Sequence, residues 1–147
     1  MYEKICVAVD GSDSAFDAVK SAAKLATRVN AGLVIMHVVR NMKVPTQLKR
    51  FVKENSLETI RREALESAGK EMINHAIGLA EYEGIKSCEQ AILQGDPAAA
   101  IVQGARDYKC DLIVVGTRGL GQVEGMLIGS ISRKVTSISD ISVLVVK

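Results

Sequence analysis

The 147-residue sequence predicts an α/β domain with an open, doubly wound, five-stranded parallel sheet and helices on both faces. Short apolar runs rich in β-branched residues, such as residues 5–9 and 33–39, alternate with longer helical stretches. Unbroken runs of this kind are typical of strands that are covered on both faces. Strands that alternate with helices predict parallel pairing through right-handed crossovers. With 48% hydrophobic and only 3% aromatic residues, the core has to be aliphatic.

The first strand, at residues 5–9, leads into a helix that we expect at residues 14–30. The apolar residues of this segment recur at steps of three and four, as on the buried face of a helix. Ser12 or Asp13 is suited to cap its N-terminus, and Gly32 is predicted to end it.

The second strand is followed by a basic connector at residues 41–53 and a long helix at residues 56–83. The connector is interpreted as a solvated loop. The apolar stripe of the long helix runs from Leu57 and Ile60 to Met72, and Gly84 is predicted to end the helix. This stripe predicts a helix that packs along its length.

The last third of the chain continues the alternation. Residues 86–93 have the alternating pattern of a strand near the edge of a sheet. Asp96 is placed to cap the next helix, with Pro97 at its first position. A fourth strand, a helix and a last strand are predicted at residues 112–115, 129–139 and 141–146.

Composition places the chain in one class and excludes others. Its length fits one domain, residues 1–147. The formal net charge of +2 is too small to indicate a nucleic-acid-binding protein. There is neither a signal peptide nor a run of about 18 apolar residues, so we expect a cytoplasmic protein without a membrane span. The cysteines, Cys6, Cys88 and Cys110, lack metal-ligand spacing and are interpreted as reduced, small hydrophobic residues.

The loop after the fourth strand is the strongest candidate for a binding site. In an open sheet of this class, ligands bind at the carboxyl ends of strands where the strand order reverses. We expect that reversal at the first and fourth strands. The fourth strand runs into Gly116 and Gly119, and Gly129 and Ser130 follow at the start of a helix. Glycines let the backbone approach a ligand, and a helix N-terminus favours an anion. The loop therefore predicts a phosphate site.

The common nucleotide motifs do not fit this loop. A Walker loop requires a lysine before the serine, and here Gly129 and Ser130 are adjacent. The dinucleotide fingerprint should follow the first strand, where the sequence reads Asp10-Gly11-Ser12-Asp13-Ser14. That segment also lacks the preceding Ser-Gly of an adenylating enzyme.

A zinc site also has little support. His37 and His75 are the only histidines, and neither has a second ligand at metal-binding spacing. His37 is interpreted as a structural histidine of the core.

The spacing that does fit is Gly-x2-Gly-x9-Gly-Ser, and it resembles the ATP-binding motif of the universal stress protein family. The resemblance extends over the whole chain. It includes Val-Ala-Val-Asp-Gly-Ser at residues 7–12, Gly-Asp-Pro at residues 95–97 and Asp-Leu-Ile-Val-Val-Gly at residues 111–116. It implies the Rossmann-like, adenine nucleotide alpha hydrolase-like form of the doubly wound fold.

The resemblance also implies which residues contact a nucleotide. Asp10 would lie near the ribose or a bound metal ion, Mg²⁺ or Mn²⁺, and Val38 would hold the adenine. The implied nucleotide-binding residues are Ala8, Val9, Asp10, Val38, Val115, Gly116, Arg118, Gly119, Gly129, Ser130, Ile131 and Ser132. Gly129 to Ser132 would bind the phosphates through backbone N–H groups and hydroxyls.

By this resemblance the protein is an ATP-binding sensor or switch of the stress response, with an unknown protein partner. A homodimer joined through the last strand, residues 141–146, is expected. No catalytic triad is recognisable, and ATP hydrolysis would at most be slow. Two alternatives stay open, a slow ATPase and a structural stress protein that binds no nucleotide.

Overall fold

Strands and helices alternate throughout the part of the chain that the computed structural model describes, residues 1–40, 46–51, 56–118 and 128–147. In chain order the elements are β1 (Lys4–Ala8), α1 (Asp13–Val29), β2 (Gly32–Val39), α2 (Thr46–Lys49), α3 (Ser56–Tyr82), β3 (Glu89–Gln94), α4 (Pro97–Asp107), β4 (Leu112–Gly116), α5 (Ser130–Ile138) and β5 (Ser142–Val146). The predicted connector, residues 41–53, lies partly outside the described residues and contributes the short α2. None of the helices in the described ranges has an apolar stretch of the kind that crosses a bilayer.

The strands form one sheet in the order β3-β2-β1-β4-β5, and every neighbouring pair is parallel. The central strand is β1, whose Cys6 lies opposite Val34 of β2 and Ile113 of β4. The chain builds the sheet outward from β1 on one side and then returns to add β4 and β5 on the other. The strand order therefore reverses between β1 and β4, and the predicted fold class is confirmed.

The core lies in two layers, one on each face of the sheet. Ile5 and Val7 of β1 are buried against one group of residues, which includes the apolar residues of α1 and α3. Cys6 is buried on the opposite face, with residues of α4 and α5 such as Ile101 and Val135. Alternate residues of a strand point to opposite faces, so an unbroken apolar run serves both layers.

The cysteines behave as the sequence indicates. All three are free thiols; Cys6 and Cys110 are buried and Cys88 is half-buried. A hydrogen bond with Cys110, together with burial, raises the pKa of the Cys6 thiol. Cys6 is therefore an uncharged core residue.

The predicted boundaries agree with the structure to within about one residue, except at the start of β3, and the residue that ends α1 differs from the prediction. Helix α1 ends before Gly32, because Asn30 adopts the left-handed conformation (φ 57°) and donates its N–H to the carbonyl of Ala26. Asparagine tolerates this conformation, so Gly32 is free to begin β2. The third strand begins at Glu89, because Gly84 (φ 99°) ends α3 and pairing with β2 starts only at Glu89.

The apolar stripe of α3 is only partly buried. Ile60 was expected in the core but is 61% exposed. Buried residues of α3 begin at Gly69 and continue through Ile73, Ala76 and Ala80. The C-terminal half of the helix therefore packs on the sheet, and residues 58–64 stay exposed.

Candidate functional site

A cavity of about 510 Å³ opens at the carboxyl ends of the strands, where the strand order reverses. Ligand pockets commonly have volumes of about 300–1,000 Å³. The residues that line the cavity are Ala8, Val9, Asp10, Ala15, His37, Val38, Val39, Arg40, Leu65, Ala68, Met72, Pro97, Ile101, Val115, Gly116, Arg118, Gly129, Ile131 and Ser132. The cavity thus lies at the ends of the first and fourth strands, where the sequence predicted a binding site.

One side of the cavity is apolar. Val38 and Val39 end β2, and Met72 and Leu65 contribute side chains from α3. Ile101 of α4 belongs to the same wall. Such a surface suits a flat apolar group, because burying it removes apolar area from water.

The ring of His37 is held in place in this wall by contacts with other residues of the protein. Its Nδ1 lies 2.8 Å from the carbonyl oxygen of Val9. A carbonyl can only accept, so Nδ1 carries the proton and donates. On the other side the ring meets Gly69 of α3, where a Cβ would lie 2.6 Å from the His37 Cδ2 atom. His37 is hydrogen-bonded within the protein, as the sequence interpretation expected, and it also lines the cavity.

The cavity also has a polar side, which carries charges of both signs. The carboxylate of Asp10 accepts a hydrogen bond from the backbone N–H of Ser12 at 2.9 Å. Arg118 and Arg40 also line the cavity, after β4 and β2 respectively. The carboxylate suits a hydroxyl or a cation, and the guanidinium groups suit an anion.

The N-terminus of α5 adds a helix dipole, and its N-cap residue has no side chain that could cap the first turn. Its N-cap is Gly129, which provides no side-chain hydrogen bond to the first turn. The first N–H groups of any helix lack intrahelical partners, and they favour an anion. The backbone N–H groups of residues 130–132 are therefore the candidate phosphate donors.

Two of the predicted phosphate contacts are already used within the protein. The N–H of Gly129 donates to the carbonyl of Thr117, and the hydroxyl of Ser132 donates to the carbonyl of Gly116. The hydroxyl proton of Ser132 is thus directed at the backbone rather than into the cavity. Gly129 has a φ of −67°, which other residues also adopt, so a positive φ is not the reason for a glycine at this position.

Gly116 is a glycine because of packing. A Cβ at this position would lie 2.4 Å from the Ser14 Oγ atom and 2.7 Å from its backbone carbonyl atoms. The end of β4 therefore contacts the first turn of α1 backbone to backbone. This contact brings the loops after β1 and β4 together at the cavity.

Most predicted site residues line this one cavity. Of the predicted residues that the structure describes, only Ser130 does not line the cavity, and it is exposed at the first position of α5. Gly119 lies outside the described residues. The single metal ligand that was predicted, Asp10, is on the polar side. Among the described residues, no group of three or more His, Cys, Asp or Glu side chains could hold a metal ion.

Sequence reasoning missed part of the wall. Arg40 and Pro97 follow strands β2 and β3, so the carboxyl-end rule was a signal that could have found them. Leu65, Ala68 and Met72 had no such signal, because their position depends on how α3 crosses the sheet.

Charged groups at the start of α4 stabilise the helix next to the cavity. The carboxylate of Asp96 accepts a hydrogen bond from the N–H of Ala99 at 3.2 Å, as predicted for this cap. The ammonium group of Lys134 on α5 lies 3.1 Å from the same carboxylate. The Ala99 hydrogen bond, and then Lys134, lower the pKa of Asp96. This ion pair joins α4 to α5.

The fold and the cavity define a doubly wound α/β domain with a ligand-sized site at the point where the strand order reverses. The sequence model described as "Universal stress protein family" matches residues 1–147. The chain belongs to the universal stress protein family.

Individual relatives agree with this assignment. The chain is 35% identical to "Universal stress protein YxiE" of Bacillus subtilis over 150 residues, and the match covers all of both chains. Among solved structures, a universal stress protein in complex with cAMP is 29% identical with a TM-score of 0.68, and the match covers 99% of this chain and 97% of that one. The universal stress protein UspA from Lactobacillus plantarum is 24% identical with a TM-score of 0.85, covering 99% and 98%, and it supports the fold.

Proposed function

We propose that this protein binds ATP in the cavity between β1 and β4 and acts as a nucleotide-dependent sensor or switch in the stress response. The observation that carries the proposal is that one cavity is lined both by an apolar wall and by a helix N-terminus without a side-chain cap. Val38 and Met72 belong to the apolar wall, which fits a base, and the first turn of α5 fits phosphates. Asp10, at the end of β1, fits the ribose hydroxyls between them.

The family relationship supports an adenine nucleotide as the ligand. The solved relative in complex with cAMP shares the fold over nearly its whole length at 29% identity. The glycine spacing that resembles the ATP-binding motif favours ATP over cAMP for this chain.

A divalent ion fits the site only together with the ligand. Mg²⁺ is commonly bound by one or two carboxylates plus substrate phosphates and water. Asp10 would supply the carboxylate, and Mg²⁺ or Mn²⁺ would offset the phosphate charge. The protein's own residues would orient the nucleotide around that ion.

ATP turnover is expected to be slow or undetectable, well below the roughly 1–10³ s⁻¹ of typical enzymes. Fast phosphoryl transfer needs charge stabilisation on the transferred group and a residue that positions the attacking water. The described wall offers Arg40 and Arg118 as cations, and its one carboxylate, Asp10, is held by the Ser12 N–H. This arrangement of residues fits a binding protein better than a fast ATPase.

We further propose that the sensor works in the cytoplasm as a homodimer, with a protein partner that reads the bound state. Strand β5 is an edge strand, because it pairs only with β4 in the sheet. Its Leu144 is 38% exposed, which leaves apolar surface beside unpaired backbone groups.

The direct test is to identify what the purified protein carries. The protein is purified without added nucleotide and denatured, and the released small molecules are identified by mass spectrometry. We expect ATP or another adenine nucleotide in the wild type and none in a Gly129→Val variant purified in parallel. Equal amounts in both samples, or none in a wild-type sample that also fails to bind added nucleotide, would contradict the proposal.

A further inference from the structure

Two serines contact the backbone of Arg118 on the polar side of the cavity: Ser12, which is the N-cap of α1, and Ser14, which lies in the first turn of that helix. The backbone N–H of Arg118 donates to the Ser14 Oγ atom at 3.2 Å. The Ser12 hydroxyl lies 3.4 Å from the carbonyl oxygen of Arg118. Both backbone polar groups of this one residue therefore face side chains that lie more than 100 positions earlier in the chain.

Ser12 also contacts Asp10. The N–H of Ser12 donates to the Asp10 carboxylate at 2.9 Å, and the Ser12 Oγ accepts from the N–H of Ala15 to cap α1. One short segment thus sets the positions of a carboxylate and an arginine that both line the cavity. Neither serine lines it.

The backbone of residues 116–118 is held from the other side as well. Thr117 donates its N–H to Val146 of β5, and its carbonyl accepts from Gly129. Gly116 has no room for a Cβ against Ser14, so β4 cannot move closer to α1. With Thr117 held by β5 and α5, the hydrogen bond that the Arg118 N–H donates to the Ser14 Oγ atom is the shorter of the two contacts that hold the next residue, Arg118.

We infer that Ser14 is a positioning residue for the phosphate side of the site. It acts through the backbone of Arg118, which directs the arginine side chain toward the cavity. This inference rests on the proposed function for its ligand, and it predicts that Ser14 matters for the phosphates and not for the nucleoside. The apolar wall formed by Val38 and Met72 lies on other elements and stays unchanged.

The test compares ligands on one set of variants by isothermal titration calorimetry. A single neutral hydrogen bond contributes about 0.5–1.5 kcal/mol, so Ser14→Ala is expected to weaken ATP binding about two- to tenfold. Adenosine affinity should stay at the wild-type value, and Ser14→Thr, which keeps the hydroxyl, should restore ATP affinity. The matched control is Ser137→Ala, which removes a hydroxyl that donates to the Arg133 carbonyl on α5 and is not part of the wall. Equal losses for ATP and adenosine, or no loss for ATP, would overturn the inference.

Amide hydrogen exchange in the ligand-free protein gives an independent result. The Arg118 amide should exchange faster in Ser14→Ala and at the wild-type rate in Ser14→Thr. An unchanged Arg118 rate in Ser14→Ala would also overturn the inference. If the wild type binds no adenine nucleotide, the proposed function is wrong, and the exchange rates still decide whether Ser14 positions this backbone.

Discussion

At the scale of single residues, Gly129 is the position where a side chain would most directly block the proposed phosphate site. It is the N-cap of α5, lines the cavity and has an ordinary extended backbone conformation (φ −67°, ψ 161°). A β-branched residue is compatible with these angles, so the fold should tolerate it. The substitution should therefore weaken ligand binding and leave the fold intact.

We expect Gly129→Val to weaken ATP binding at least about 100-fold, a loss of about 2.7 kcal/mol. Gly129→Ala should give a smaller loss, because its side chain has only a Cβ. Calorimetry measures both affinities, and circular dichroism should show that both variants stay folded. Normal ATP affinity in the valine variant would mean that the phosphates bind elsewhere.

Sequence patterns located this site better than they described its contacts. The spacing pointed to Gly116 and Gly129, which line the cavity, because glycines and strand ends are visible in the sequence. The hydrogen bonds from Ser132 to Gly116 and from Gly129 to Thr117 were not predictable. They depend on how α5 returns to the end of β4, which is a property of the folded chain.

At the scale of elements, the packing of α3 on β2 depends on one buried glycine. A Cβ at Gly69 would lie 2.6 Å from the His37 ring, which the Val9 carbonyl holds in place. At Gly78, on the same helix, a Cβ would meet nothing within 4 Å. The two glycines therefore form a matched pair for substitution.

Gly78→Ala is expected to stabilise the protein by about 0.5–1 kcal/mol, because alanine favours the helix more than glycine does. Gly69→Ala gains the same helix preference but should destabilise by about 1–3 kcal/mol through overpacking against His37. Urea unfolding of the two variants measures both values. Stabilisation by Gly69→Ala would show that the helix and the ring have room to separate.

Helix α4 should show a pH-dependent contribution from its cap. Hydrogen bonding to Ala99 and pairing with Lys134 lower the pKa of Asp96 below its ordinary value of 3.8. Such a carboxylate stabilises the folded state above its unfolded pKa, and the contribution is lost as the pH falls through the folded pKa. Asp96→Asn can still cap the helix but does not ionise.

We therefore expect Asp96→Asn to melt below the wild type at neutral pH and to match it at about pH 2. Thermal melts of both proteins across this pH range give the comparison, with Lys134→Met showing how much of the difference comes from the ion pair. A difference that is constant with pH would show that the charge of Asp96 does not contribute.

The elements and most of their ends were predictable, whereas capping residues and the depth of burial were less so. Apolar runs and helical periodicity gave every strand and the long helices in the right order. The end of α1 was predicted to within one residue, but the residue that ends it is Asn30, which adopts the left-handed conformation, and not Gly32. The exposure of Ile60 was missed because a periodic stripe does not tell where a helix leaves the sheet.

At the scale of the whole molecule, strand β5 offers the surface for the proposed dimer. Leu144 is exposed on this edge strand, and lysine at such a position is a common natural barrier to edge-to-edge pairing. The opposite edge strand, β3, carries the exposed Gln90 and provides a control.

Light scattering coupled to chromatography should give the wild type twice the 15.8 kDa mass of one chain. Leu144→Lys should shift the protein to the monomer, and Gln90→Lys should remain a dimer. A wild type that is monomeric at micromolar concentration, or a Leu144→Lys variant that stays dimeric, would contradict a dimer through β5.

The topology of the sheet explains why the position of the cavity was predictable from the sequence, although its complete set of lining residues was not. Parallel strands bring the ends of β1 and β4 together wherever the strand order reverses, so the polar residues there were predictable. The part of the wall on α3 was not, because Leu65 and Met72 reach the cavity only through packing across the sheet.

The central claim is that the cavity binds ATP, and isothermal titration calorimetry tests it most directly. The wild type is titrated with ATP, ADP, AMP and cyclic AMP in the presence of Mg²⁺, with GTP as the control for base recognition. We predict a 1:1 complex with ATP at roughly micromolar affinity, about −8 kcal/mol, and a higher melting temperature in its presence. Neither heat nor a thermal shift with any of the adenine nucleotides would contradict the account.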